Sequence, residues 1–182
     1  MEAFVYLRVR PGTISSVRNR LTSSTVARRS VVVIGDWDVL CLLDGPDLSA
    51  IAGAVLGEIQ LIEGIERTFT APVVPPDQLG LVGFGGPPTP PIVRGASYVH
   101  IAAEAGAAPA LFERLSEVGV AGAAVLAGPW DLLACITEPW EAASGIILDG
   151  IQGLPGVRTT NTLISVDFEE AEEDRDQFSS WS

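Results

Sequence analysis

At 182 residues, 47% hydrophobic and 19% charged, the chain has the composition of a globular protein of one or two domains. Its eleven basic residues are all Arg and face 23 acids, a net charge of −12 that argues against phosphate neutralisation and a direct nucleic-acid partner. Seven of the acids fall within residues 167–176, so the remainder is only mildly acidic.

In chain order, residues 3–10 alternate as a strand, with Val5, Leu7 and Val9 on one face and Phe4 and Tyr6 on the other. Pro11-Gly12 turns the chain into a short helix whose apolar face is Ile14, Val17 and Leu21. Dense apolar residues from Val31 to Ile34 predict a second strand, broken at Gly35-Asp36, and a third runs from Trp37 to Leu43. Asp47 is placed to cap a helix carrying Leu48, Ile51, Val55, Ile59 and Ile62, and Gly64 ends it. Ile65 to Val74 is the fourth strand.

The same order then recurs. A strand at 97–103 leads to a helix with Leu111, Phe112 and Leu115. Strands at about 123–127 and 130–137 flank Gly128-Pro129, and a last strand spans Val157 to Phe168. The helix expected from near Pro139 contains Gly145, Gly150 and Gly153, each unfavourable by about 1 kcal/mol, so it should be the weaker of its pair. The two copies share the segments VVVIGDWDVL at 31–40 and VLAGPWDLL at 125–133, at an offset that drifts only from 94 to 92 residues.

Strand-helix-strand-strand-helix-strand is the ferredoxin-like βαββαβ pattern, an antiparallel sheet with both helices on one face. The expected fold is therefore α+β, with two ferredoxin-like repeats packed sheet to sheet as a pseudo-dimer within one chain, resembling a dimeric α/β barrel. Phe4, Tyr6, Tyr98 and His100 are the inward positions too apolar or too large to leave in water. The expected division is 1–74, a Pro/Gly-rich linker at 75–96, 97–168, and an acidic tail at 169–182. The linker holds six Pro and five Gly, with Leu79, Leu81, Val82 and Phe84 expected to rest in part on the body. The tail is read as solvated and disordered, the alternative being a docking segment anchored by Phe178 and Trp181.

No secretory leader is expected, because charged and polar residues interrupt the start from Glu2 onward. The uncharged run Val118 to Trp130 is broken by glycines and Pro129, short of the roughly 20 residues a membrane span needs. A soluble, cytoplasmic protein is expected, with Cys41 and Cys135 as buried reduced thiols.

Three features recur in both copies: the Gly-x-Trp-Asp-x-Leu turn, a last helix ending in Gly-Ile or Gly-Val, and a Thr-rich opening of the final strand (RTFT, TTNT). In this ordered set the repeat resembles the C-terminal effector-binding domain of the Lrp/AsnC family of transcriptional regulators, over about 145 residues. The resemblance implies a tandem of effector domains without the family's helix-turn-helix, linked to transcription regulation and amino-acid sensing. It also implies a small-molecule, amino-acid-like effector as partner, bound near the Gly-Asp turn and the Thr-bearing strand. Self-association, including association with a full-length regulator, is expected, and nucleic-acid and membrane partners are not.

The residues support such a site on chemical grounds. Gly35 and Gly128 allow close backbone approach. Asp36, Asp38 and Asp131 offer carboxylates to an ammonium or to exposed backbone N–H groups. Thr68, Thr70, Thr160 and Thr162 offer hydroxyls to a carboxylate. The competing reading of the turns is a plain hairpin with Asp bonding its own backbone. Pro129 stands where the first copy has Asp36, so two sites would be unequal. No catalytic residue, metal ligand set or cofactor motif is assigned: one His and two distant Cys do not make a zinc site. The alternative is a small enzyme of the dimeric α/β-barrel type, monooxygenase- or isomerase-like, working in an inter-sheet cavity around His100. An ACT-like regulatory module, suggested by Arg10-Pro11-Gly12, leaves the Trp-Asp turns unexplained.

Overall fold

The computed structural model describes residues 1–27, 29–82 and 89–166. The first half comprises β1 (Glu2–Val9), α1 (Ile14–Ser23), β2 (Arg29–Ile34), β3 (Val39–Asp44), α2 (Leu48–Gly57) and β4 (Ile65–Val74). The second comprises β5 (Ser97–Ala103), α3 (Ala108–Leu115), β6 (Gly122–Leu126), β7 (Leu132–Ile136), α4 (Trp140–Gly145) and β8 (Val157–Ser165). Asp47 caps α2 as its position predicts, accepting from Ala50 N at 2.8 Å. The glycine-bearing helix is the short one: α4 keeps α-geometry for six residues and continues as a π-helical turn over Ile146–Ile151. Phe84, the Phe168 end of the last strand, and the tail with Phe178 and Trp181 lie outside the described residues.

The eight strands form one antiparallel closed barrel in the order β1-β3-β2-β8-β5-β7-β6-β4. Each half contributes four contiguous strands, and the halves join at two equivalent seams. Val33 and Ile34 of β2 pair with Ser165 and Ile164 of β8, and Val73 and Val74 of β4 pair with Leu126 and Val125 of β6. Closure pairs both edges of each four-stranded sheet, which removes the aggregation risk that either sheet would carry alone.

Side-chain alternation sorts the core into three clusters. Val5, Leu7 and Val9 face α1 and α2, and Val99, Ile101 and Ala103 face α3 and α4. The opposite faces, among them Phe4, Tyr6, Val31, Leu40, Tyr98 and Leu133, meet inside the barrel. A fully buried residue of this size contributes about 1.5–3 kcal/mol. The interior cluster is therefore what drives the two halves together.

Gly35 sits where the first seam is tightest. Its φ is +147°, and a Cβ there would lie 2.7 Å from Leu163 Cδ2 and 3.0 Å from the Thr162 carbonyl oxygen. Its counterpart Gly128 would meet only Phe69 Cζ, at 3.5 Å. The first glycine is thus required by strand approach, and the second is not.

The segment after β4 forms a 3-10 turn, Pro76–Leu79, with Pro76 buried and Leu81 packed on the second-half core, while Val82 is exposed. Residues 89–93 cross the end of the barrel opposite the Trp-Asp turns. There the Tyr98 hydroxyl accepts from Val93 N at 2.7 Å, and Thr89 bonds the Glu2 carboxylate.

Candidate functional site

The two Gly-x-Trp-Asp turns lie at one mouth of the barrel, and their aspartates do the same local work. β1 carries a bulge between Arg8 and Val9, and β5 carries one between Ala102 and Ala103. A bulge leaves a backbone N–H out of the ladder. Asp38 Oδ2 accepts from Val9 N at 2.7 Å, and Asp131 Oδ2 accepts from Ala103 N at 2.8 Å. Each Asp also ties its turn to the first strand through its own N–H, Asp38 to Leu7 O at 2.9 Å and Asp131 to Ile101 O at 3.0 Å. Arg8 Nη1 stands 3.4 Å from Asp38 Oδ1.

The remaining candidate residues separate. Thr68 and Thr160 are on the outward face of their strands, where each hydroxyl accepts from a glutamine of the preceding helical segment, Gln60 at 2.7 Å and Gln152 at 2.8 Å. Thr70 and Thr162 share that outward face, because Phe69 and Ala71, and Leu163, turn inward. Asp36 crosses to the other repeat and accepts from Asn161 Nδ2 at 2.8 Å. Gly35 meets β8 at the same place. The structure therefore places Asp36, Asn161, Gly35 and the backbone of Thr162 together and Asp38 elsewhere on the turn, with the Thr68 and Thr160 hydroxyls held on the outward face by Gln60 and Gln152.

Asp38 borders a surface cleft of about 470 Å³. Arg8, Arg10, Asp38 and Glu66 supply charge, and Ile14 and Val32 supply apolar floor. Arg10 pairs with Glu63 at 3.5 Å, with both side chains largely exposed. Glu66 has no ion pair among the described residues. At the positions corresponding to Arg8, Arg10 and Glu66, the second half has Ala102, Glu104 and Arg158. Asp131 therefore lacks this set of charges, which makes the two turns unequal for a stronger reason than Pro129 alone. Arg8 and Glu66 were not among the residues singled out from sequence, and Arg10 entered only through the ACT-like reading. Their signal was weak: exposed charges at strand ends look like ordinary solvated residues.

Inside the mouth, the positions matched between repeats face each other. Tyr6 of β1 and His100 of β5 have ring centroids 5.0 Å apart. Trp37 and Phe69 lie against Tyr6 at 6.0 and 5.7 Å, and Trp130 stacks on His100 at 5.4 Å. Arg67 lies over Trp37, 5.6 Å from its centroid. Burial lowers the His100 pKa to about 4, against smaller opposing effects of a hydrogen bond donated to Asn161 and the charge of Asp36. Burial also raises the Tyr6 phenol far above its usual range. Both groups are neutral near pH 7. The thiols of Cys41 and Cys135 are buried too, and burial pushes each up to about 12. Among the described residues no three potential metal ligands cluster, and no helix is long and apolar enough to cross a membrane.

No family model matches the chain, and no curated protein matches it. Solved structures do. The siroheme decarboxylase NirDL is matched over 92% of this chain and 71% of its own, at 10% identity and a TM-score of 0.68. A heme-binding protein from Thermus thermophilus is matched over 96% of this chain and 93% of its own, at 13% identity and a TM-score of 0.50. AsnC of E. coli matches 38% of this chain, a stretch the size of one repeat, at 17% identity and a TM-score of 0.36. This chain covers 47% of AsnC's length in that match. At these identities the whole-chain likeness is one of fold, the eight-stranded α+β barrel.

Proposed function

We propose that the chain is a small-molecule-binding regulatory domain of the Lrp/AsnC effector type, and that its effector site is the cleft beside Asp38. The observation that carries this reading is the charge layout of that cleft. Arg8 and Arg10 stand on the β1 end, Glu66 and Asp38 supply negative charge, and Ile14 and Val32 give an apolar floor. An amino acid or related zwitterion presents a carboxylate, an ammonium and a side chain, and each has a counterpart here. Arg10 would take the carboxylate by exchanging its exposed contact with Glu63. Glu66 would take the ammonium, assisted by the field of Asp38, whose Oδ2 remains on Val9 N. The recurring sequence motifs support the same reading.

The fold likeness to NirDL and to the Thermus heme-binding protein raises iron tetrapyrroles as ligands. The chain's one histidine argues against that choice, because His100 is 2% exposed inside the barrel and presents no imidazole to a macrocycle.

A thermal-shift screen of the full chain with the twenty amino acids tests the proposal. A ligand at 100 times its Kd adds about 2.7 kcal/mol, a rise of roughly 5–11 °C for a chain of this size. Glu66→Gln and Arg10→Gln should each abolish the rise without lowering the ligand-free melting temperature. A shift that survives both substitutions would place the ligand elsewhere.

A further inference from the structure

The seam between β2 and β8 is short. Val33 pairs with Ser165 and Ile34 with Ile164, and one further bond runs from Val166 N to Val32 O at 3.0 Å. On its other side β2 is paired with β3 from Arg29 to Val32. Backbone groups point alternately to the two sides of a strand, so the next residue below Val32 to turn its N–H and C=O toward β8 is Ser30. Among the described residues neither group has a partner there. An unpaired rung of this kind is a template for one more extended segment.

The equivalent seam shows why the ladder stops in the first half. Val74, Pro75 and Pro76 stand where the second half has Val166, Asp167 and Phe168. Pro76 has no N–H to donate, and the chain leaves as a 3-10 turn. The start of β6 is covered instead by the segment that crosses this end of the barrel. A Cβ on Gly122, the counterpart of Arg29, would lie 3.3 Å from Pro90 Cα. On the β2 side the same segment leaves a cavity of about 390 Å³, bordered by Glu2, Arg29, Leu42 and the run from Pro90 to Ile92. Asp167 and Phe168 both carry an N–H, so the residue types that end the first ladder are missing from the second.

We propose that residues 167–169, which lie outside the described residues, dock on this edge as a continuation of β8, with Phe168 exchanging both backbone bonds with Ser30. The observed pairs set the register: Val33 opposite Ser165 puts Val31 opposite Asp167 and Arg29 opposite Glu169. Leu163 and Ser165 turn inward, so the carboxylates of Asp167 and Glu169 fall on the inward side, at the rim of the cavity. Arg29 stands there to receive them. Its side chain is half-exposed, and its one ion pair among the described residues is with Glu2 at 3.5 Å, which leaves guanidinium donors for a second carboxylate. The charge of the occupant fits, since seven acids fall within residues 167–176. The tether favours it over a separate peptide, because Asp167 follows directly on Val166, which is already bonded to β2.

Amide hydrogen exchange on the full chain, read residue by residue by NMR, tests the docking. The Phe168 and Ser30 amides should exchange at least about tenfold more slowly than in an unstructured peptide. Phe168→Pro removes the donor to Ser30 and lies beyond the barrel's own ladder, so the barrel should still fold. In that variant the Ser30 amide should exchange about tenfold faster, with Val33 unchanged. Arg29→Glu should speed exchange at Phe168 by about two- to fivefold, and adding Glu169→Arg should restore it. A Phe168 amide exchanging at the peptide rate would overturn the proposal. So would a Ser30 amide equally protected in Phe168→Pro, which would put a second copy or another segment on the edge, or a charge swap that restores nothing.

Discussion

Asp131→Ala separates the structural role of the turn from ligand binding. In the folded chain its carboxylate satisfies Ala103 N at the β5 bulge, at 2.8 Å, and it does not border the cleft. A hydrogen bond to a charged group contributes about 1.5–3 kcal/mol, and its removal leaves a half-buried N–H without a partner. For a chain of this length 1 kcal/mol moves the melting temperature by roughly 2–4 °C, so a fall of about 3–12 °C is expected. Asp38→Ala should cost a similar amount through Val9 N, and because Asp38 borders the cleft it should also weaken the effector. Circular-dichroism melts and calorimetric titration on the same two proteins read both effects. The reasoning fails if neither melting temperature moves, or if Asp131→Ala weakens the effector as much as Asp38→Ala does.

The two glycines of the turns should differ. Gly35→Ala forces a Cβ to 2.7 Å from Leu163 at a positive φ and should destabilise the chain by on the order of 2–4 kcal/mol, while Gly128→Ala should cost under about 1 kcal/mol; equal urea midpoints would contradict the seam geometry. His100 sets a pH dependence of defined sign. Burial lowers its pKa from 6.5 to about 4, so the folded state holds the neutral ring, and its contribution is full above pH 6.5 and lost as the pH falls toward 4. His100→Phe removes that loss, so its stability relative to the wild type should rise by roughly 3 kcal/mol between pH 7 and pH 4 in paired urea titrations; parallel pH profiles would contradict a buried neutral imidazole.

Much of the fold was legible because it depends on local periodicity. The alternation of Val5, Leu7 and Val9 against Phe4 and Tyr6 named both faces of β1, and the second copy of that pattern supplied the partner sheet. Asp47 and the Ile65–Val74 strand followed from capping and burial alone. The site was less legible because its parts come from separate strands and the surrounding turn is fixed by contacts across the seam. Asp36 finds Asn161 125 residues away, across a seam whose register no single-repeat pattern encodes. Asp38 and Asp131 each satisfy a bulged backbone N–H, a role that cannot be seen in a strand's hydrophobic pattern. Arg8, Arg10 and Glu66 gather only when β1 and β4 pair and β2 closes beside them.

The most direct measurement is a backbone amide spectrum of the full chain, recorded while the amino acid found by thermal shift is titrated in. Saturable shifts are predicted along Arg8–Ile14, at Val32–Asp38 and at Glu66, with the equivalent second-half positions Ala102–Ala108 and Asp131 unmoved. Equal shifts at both turns, or shifts confined to residues away from the cleft, would contradict the assignment of the effector site.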